Sequence, residues 1–153
     1  MSDDGNGFSP EERAAIKRRI KELRLMKGLK GSAKKAREYE AYLATIDALR
    51  GTDRAIAETL HLIVMEEAPE LDPRTWYGFP AYAKDGKVVL FYQPAERFNL
   101  RYGSVGFQEE AALDEGDMWP VAYAITAVTP KVEAELRNLI RRAAGRKGEP
   151  TLN

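Results

Sequence analysis

The sequence has no cysteine and a single histidine, His61, among its 153 residues. The first absence removes disulfide scaffolds, thiolate zinc sites and every cysteine nucleophile. The second removes multi-histidine metal centres and mechanisms that need a pair of imidazoles. No apolar run approaches the roughly 20 residues that a bilayer span requires, and the opening residues MSDDGNGFSPEE carry no apolar core of a secretion signal. A cytoplasmic protein with no membrane partner is expected. The length suits one domain that buries its own core without covalent or metal staples.

An excess of charge is also missing, with 24 basic against 24 acidic residues. The balance is uneven along the chain. Residues 1–50 hold 12 basic and 8 acidic groups, residues 51–130 hold 6 and 13, and residues 131–153 hold 6 and 3, giving +4, −7 and +3. Basic ends around an acidic middle fit a nucleic-acid arm or basic helices packed on an acidic body, and the second is expected.

Helical signals come first. Ser9-Pro10-Glu11-Glu12 is a capping box with proline at the first helical position, and Ile16, Ile20 and Leu23 follow at helical spacing to about Gly28. Gly28, Gly31 and Ser32 predict a turn. A second helix is predicted from Ser32 to Arg50, with Tyr39, Leu43, Ile46 and Leu49 on one side, and a third from a Thr52 or Asp53 cap to about Ala68. In the third, Ile56, Leu60, Ile63 and Val64 form one apolar face while Leu62 and Met65 lie nearly opposite. Such a helix is expected to be sandwiched, between the body and the N-terminal helices.

Aromatic residues are scarce except in one stretch, since 11 of the 14 fall between Trp76 and Tyr123. With Gly, Pro and Asp punctuation this reads as sheet. Asp85-Gly86 predicts a type I′ hairpin joining a strand near 79–84 to Val88–Tyr92, which is apolar on both faces and therefore expected to be central. The alternation Arg97-Phe98-Asn99-Leu100-Arg101-Tyr102 predicts a strand with Phe98, Leu100 and Tyr102 inward, and Gly103 and Gly106 predict a tight return through Val105 and Phe107. An acidic loop, Glu109 to Asp117, precedes a last strand from about Trp119 to Ile125. Thr129-Pro130 caps a closing helix striped by Val132, Leu136, Leu139, Ile140 and Ala143. The expected fold class is α+β: N-terminal helices, an antiparallel meander of four or five strands, and a C-terminal helix packed on the sheet.

The run APELDPRTWYGFPAY, the Asp-Gly hairpin, VVLFY, FNLRY, the DEGDMWP stretch (Asp114 to Pro120) and the closing helix together resemble the YdhG-like family of small bacterial domains. Pro69, the step from Trp76 to Gly78 and Pro80-Ala81-Tyr82 are the most specific pieces, and the likeness runs from Leu60 to Ala143. It implies a frataxin-like arrangement of helices around an antiparallel sheet. Residues 1–55 lie outside the likeness, and the expected organisation is an N-terminal helical extension (1–51) docked on the body through the third helix, the YdhG-like α+β domain (52–145) and a frayed tail (146–153). Some members of the family are regarded as iron chaperones, most have no assigned activity, and none of its motifs is a catalytic signature.

Candidate sites follow from the side chains available. Glu109, Glu110, Asp114, Glu115 and Asp117 put five carboxylates within nine residues. Without cysteine, such a cluster suits hard, oxygen-liganded cations, iron among them, although the spacing is not that of an EF-hand loop. No resident cofactor is expected beyond weakly bound iron, and iron or an iron-receiving protein is the expected partner. His61, mid-helix beside the apolar stripe, has no serine or acid at a spacing that suggests a triad, and is expected to be packed and neutral. Trp76, Tyr82 and Trp119, with Arg97 and Arg101, form a candidate ligand-binding set: aromatic bodies with polar handles and two cations for an anion.

On the N-terminal helices, Lys17, Arg18, Lys21, Arg24, Lys27, Lys30, Lys34, Lys35 and Arg37 are basic but interleaved with no aromatic, so a nucleic-acid partner is not expected. No catalytic residue is assigned, because no nucleophile–base pair, phosphate loop or dinucleotide fingerprint occurs. The functional expectation is a non-enzymatic binding domain that handles iron through the acidic loop. The alternative is a protein-interaction or small-ligand module that uses the aromatic and arginine face of the sheet.

Overall fold

The chain is seen in a computed structural model whose described residues are 9–28 and 33–145. The elements run α1 (Pro10–Gly28), α2 (Ala33–Asp47), α3 (Gly51–Glu67), β1 (Asp72–Trp76), β2 (Phe79–Lys84), β3 (Lys87–Gln93), a 3-10 turn (Glu96–Phe98), β4 (Gly103–Phe107), β5 (Ala122–Ile125) and α4 (Pro130–Ala143). This is an α+β fold with its last helix after the strands, the class the sequence predicts. The turn at Gly31 and Ser32, the side chains of Leu23, Arg24, Lys27 and Lys30, and the tail 146–153 lie outside the described residues.

The helix starts show local chemistry at work. At α1 the Glu12 amide donates to Ser9 Oγ at 3.1 Å and the Ser9 amide donates to Glu12 Oε1 at 2.8 Å, the reciprocal capping box. At α4 the Val132 amide donates to Thr129 Oγ1 at 3.1 Å. The start of α3 departs from expectation. Its N-cap is Arg50, which offers no capping side chain, and neither Thr52 nor Asp53 takes that position.

The sheet is a five-stranded antiparallel meander in the order β1-β2-β3-β4-β5. Asp85 and Gly86 both have positive φ, 51° and 81°, as a type I′ turn demands. A second two-residue hairpin, Tyr77-Gly78, joins β1 to β2 with φ of 52° and 78°. Strand β1 is absent from the sequence reading because DPRTW neither alternates nor runs apolar. Its proline is tolerated at the edge of the sheet.

The predicted strand over 97–102 does not form. Residues 96–98 make the 3-10 turn, Asn99 is left-handed at φ 54°, and Phe98, Leu100 and Tyr102 are exposed rather than inward. Gly103 and Gly106 are not a turn either but lie inside β4. A Cβ at Gly103 would collide with the Tyr92 hydroxyl, and one at Gly106 with the Phe91 ring, so both positions admit a close neighbour. The last strand begins at Ala122 rather than Trp119.

Tyr82, Leu90, Tyr92, Val105, Phe107 and Ile125 alternate onto one face of the sheet and join the helices in one buried cluster. Helix α3 lies at its centre, buried on nearly every side, as its two apolar sides predict. Helix α2 runs along β1 and β2 and adds Tyr39, Tyr42 and Ile46 to the same cluster, while α1 rests on α3. Helix α4 lies beside α3 and contributes Leu136, Leu139, Ile140 and Ala143.

Candidate functional site

Asp53, in the first turn of α3, organises the site. Its buried carboxylate accepts a hydrogen bond from the Tyr92 hydroxyl at 2.5 Å, from the Ala95 amide at 2.8 Å and from the Glu96 amide at 2.9 Å. The loop that leaves β3 after Pro94 is thus tied to a helix 40 residues earlier. It then closes on itself, the Leu100 amide donating to the Ala95 carbonyl at 2.9 Å and the Asn99 amide to the Glu96 carbonyl at 3.1 Å. Burial, then the Asp53 carboxylate, pushes the Tyr92 hydroxyl far above the ordinary tyrosine range, so it remains a proton donor.

The ordered loop presents its side chains next to the Tyr77-Gly78 turn. Arg97 donates to the Gly78 carbonyl at 2.8 Å, and its guanidinium stacks over the rings of Phe79 and Phe98 at 5.7 and 5.5 Å. Phe79 stacks on Phe91, which in turn meets Trp76 at a centroid distance of 5.0 Å. The guanidinium of Arg101 lies 5.0 Å from the centre of the Tyr102 ring. Between this loop and the start of α3 is a cleft of about 320 Å³, lined among others by Arg50, Thr52, Leu100, Arg101 and Tyr102.

The five residues predicted to bind a ligand are therefore not one set. Trp76 and Arg97 belong to the same aromatic series, and Arg101 lines the neighbouring cleft. Tyr82 is fully buried under α2, and Trp119 packs against the hydrophobic core through its partly buried side chain. Tyr77 and Phe79 stand among the aromatics expected to line a pocket, whereas missing from the prediction are Asp53, Arg50 and the outward-facing Phe98, Leu100 and Tyr102. No local pattern links Asp53 to residues 92–96. For the last three the alternation is real, but it faces solvent.

The acidic loop lies elsewhere, near the Asp85-Gly86 hairpin and the end of α4. Glu110 is 3.8 Å from Lys87 and Glu115 is 3.9 Å from Arg142. Glu109, Asp114 and Asp117 are exposed. Among the described residues no three side chains of metal-ligating type converge, so Glu109, Glu110, Asp114, Glu115 and Asp117 share a loop without sharing a centre.

His61 is fully buried, as expected, within a polar cluster of tyrosines. The Tyr42 hydroxyl is hydrogen-bonded both to His61 Nδ1 and to the Tyr82 hydroxyl, and the Tyr39 hydroxyl lies 3.5 Å from His61 Nε2. Burial, reinforced by Tyr82, raises the Tyr42 hydroxyl well above its ordinary range, and burial does the same for Tyr82. On the N-terminal helices Lys17, Arg18, Lys21, Lys34 and Arg37 are exposed.

Comparison with protein-family models, with curated proteins and with solved structures finds no match to this chain.

Proposed function

We propose that the protein is a YdhG-like, non-enzymatic binding module whose contact surface is the 96–102 loop together with the Tyr77-Gly78 turn. One observation carries this reading. Four large apolar side chains, Tyr77, Phe98, Leu100 and Tyr102, stand 76%, 43%, 48% and 37% exposed at one end of the sheet, the last three on a loop whose start Asp53 anchors and whose Arg97 is bonded to the Tyr77-Gly78 turn. A rigid surface rich in tyrosine, phenylalanine and arginine has the composition of interface hot spots, and its fixed backbone lowers the entropy lost on association. The sealed position of His61 favours binding over acid–base catalysis. The alternative of iron delivery through the acidic loop has less behind it, because its carboxylates do not converge.

Selection of binders to the full chain from a random peptide display pool tests the reading. The recovered peptides are expected to lose affinity for Phe98→Ser combined with Leu100→Ser, and to keep it for Glu109→Gln combined with Glu110→Gln. Peptides indifferent to the first pair would overturn it.

A further inference from the structure

The charges around the exposed rings narrow the partner. Half of the twelve arginines whose side chains are described are paired with carboxylates, among them Arg13 and Arg54 with Glu58, Arg137 with Glu66, Glu67 and Glu133, and Arg141 with Glu67. Arg50, Arg97 and Arg101 are unpaired among the described residues, as Arg18, Arg37 and Arg74 also are, but the first three gather around one loop. Among the described residues no carboxylate lies within ion-pair distance of any of these three. All three sit at the loop end of the sheet, Arg50 and Arg101 on the cleft and Arg97 across the Gly78 carbonyl. Arg97 spends one N–H on that carbonyl, and the rest of its planar fork remains available.

We propose that this surface docks an acidic peptide segment of a partner protein, with carboxylates on Arg50, Arg97 and Arg101 and apolar side chains on Phe98, Leu100 and Tyr102. The proposal rests on the contact surface assigned above and adds the chemistry of its occupant. A guanidinium fork matches a carboxylate in two parallel hydrogen bonds. Stacking on Phe79, Phe98 and Tyr102 already limits the freedom of the Arg97 and Arg101 side chains, so less is lost when a carboxylate arrives. The cleft of about 320 Å³ has the size to seat one or two partner side chains between Arg50 and Tyr102.

A polyanion fits less well than a short acidic segment. Residues 51–130 carry a net −7, and a nucleic acid needs phosphate contacts in number to hold against salt, where this surface has three arginines and also Glu96. An acidic peptide brings few charges to the same three cations, together with the apolar side chains that the exposed rings require.

Fluorescence anisotropy on the full chain tests this with three labelled probes: a dodecapeptide pool built from Asp, Glu, Leu and Phe, a matching pool built from Lys, Arg, Leu and Phe, and a fifteen-residue oligothymidylate. The acidic pool is expected to bind, to weaken with added salt, and to weaken about tenfold or more for Arg50→Ala combined with Arg101→Ala, a change of about 1.4 kcal/mol. Both arginines are exposed and their side chains make no described hydrogen bond, so that pair is expected to fold. Arg97→Lys, which keeps the charge but not the fork, is expected to weaken binding less.

Equal binding of the acidic and basic pools, both lost on Phe98→Ser with Leu100→Ser, would overturn the acidic partner and leave the contact surface standing. Binding that ignores both double variants would overturn the two readings together, as would no binding. Preferred binding of the oligothymidylate would assign the surface to single-stranded nucleic acid. Salt-sensitive self-association lost in the arginine variant would assign it to a second copy of this chain. Either result overturns the proposal.

Discussion

Asp53 shows how much one side chain can decide. Placed in the first turn of α3, it gathers the Tyr92 hydroxyl and two loop amides. Replacing it by alanine strands one buried and two part-buried donors, each worth about 1–3 kcal/mol when buried and unpaired, less what water recovers as the loop opens. A loss of about 3 kcal/mol in urea unfolding is expected for Asp53→Ala, with faster hydrogen exchange at the Ala95 and Glu96 amides. The tyrosines around His61 make a second residue-scale prediction, in pH. Tyr42 and Tyr82 have native values raised above the ordinary 10.0, so the unfolded chain releases these protons first. Their contribution to stability is complete below about pH 10 and is lost as pH rises towards the native values. Urea midpoints should hold steady from pH 8 to 9 and fall beyond 10, less steeply for Tyr82→Phe.

Elements held by local chemistry were legible, and those held by distant partners were not. The Ser9–Glu12 box, the Asp85-Gly86 hairpin and the Thr129 cap each involve residues within a few positions, and each forms as its sequence indicates. The 97–102 segment has the alternation of a strand, yet Asp53 seizes two of its leading amides and turns the chain at once, a choice made 42 and 43 residues away. Strand β1 escaped because an edge strand beside α2 needs no apolar period. The aromatic half of the candidate site was therefore visible as composition, while its split into buried Tyr82, core-packed Trp119 and exposed loop was not. Helix α4 also depends on remote carboxylates. Burial alone would lower the Arg137 proton affinity, but Glu67, Glu133 and Glu66 more than reverse this and leave it raised. Arg137→Ala is expected to remove about 1–2 kcal/mol, as a partly buried ion network warrants more than an isolated surface pair. Hydrogen exchange should quicken across 130–143 before it does in β3.

Across the whole molecule, the acidic loop lies by the Asp85-Gly86 hairpin, and Arg50, Arg97 and Arg101 lie at the other end of the sheet. Because the loop carboxylates do not converge, anaerobic titration with ferrous iron beside magnesium and calcium is expected to give weak, equal heats. Micromolar, iron-selective binding abolished by Asp114→Asn with Asp117→Asn would restore the iron reading. The core also crosses the boundary at residue 51, since Tyr42 satisfies both His61 and Tyr82. A chain starting at Gly51 uncovers Tyr82, His61 and the apolar core that Tyr39, Tyr42 and Ile46 pack against, and is expected to lose cooperative unfolding by calorimetry. The same contact sets a timetable during translation. Tyr42 and Tyr82 are 40 residues apart, about 2–8 s of synthesis at ordinary elongation rates. Throughout that interval the nascent helices carry an unfilled apolar side, open to solvent or to a waiting chaperone, and slow codons between α3 and β2 would prolong it.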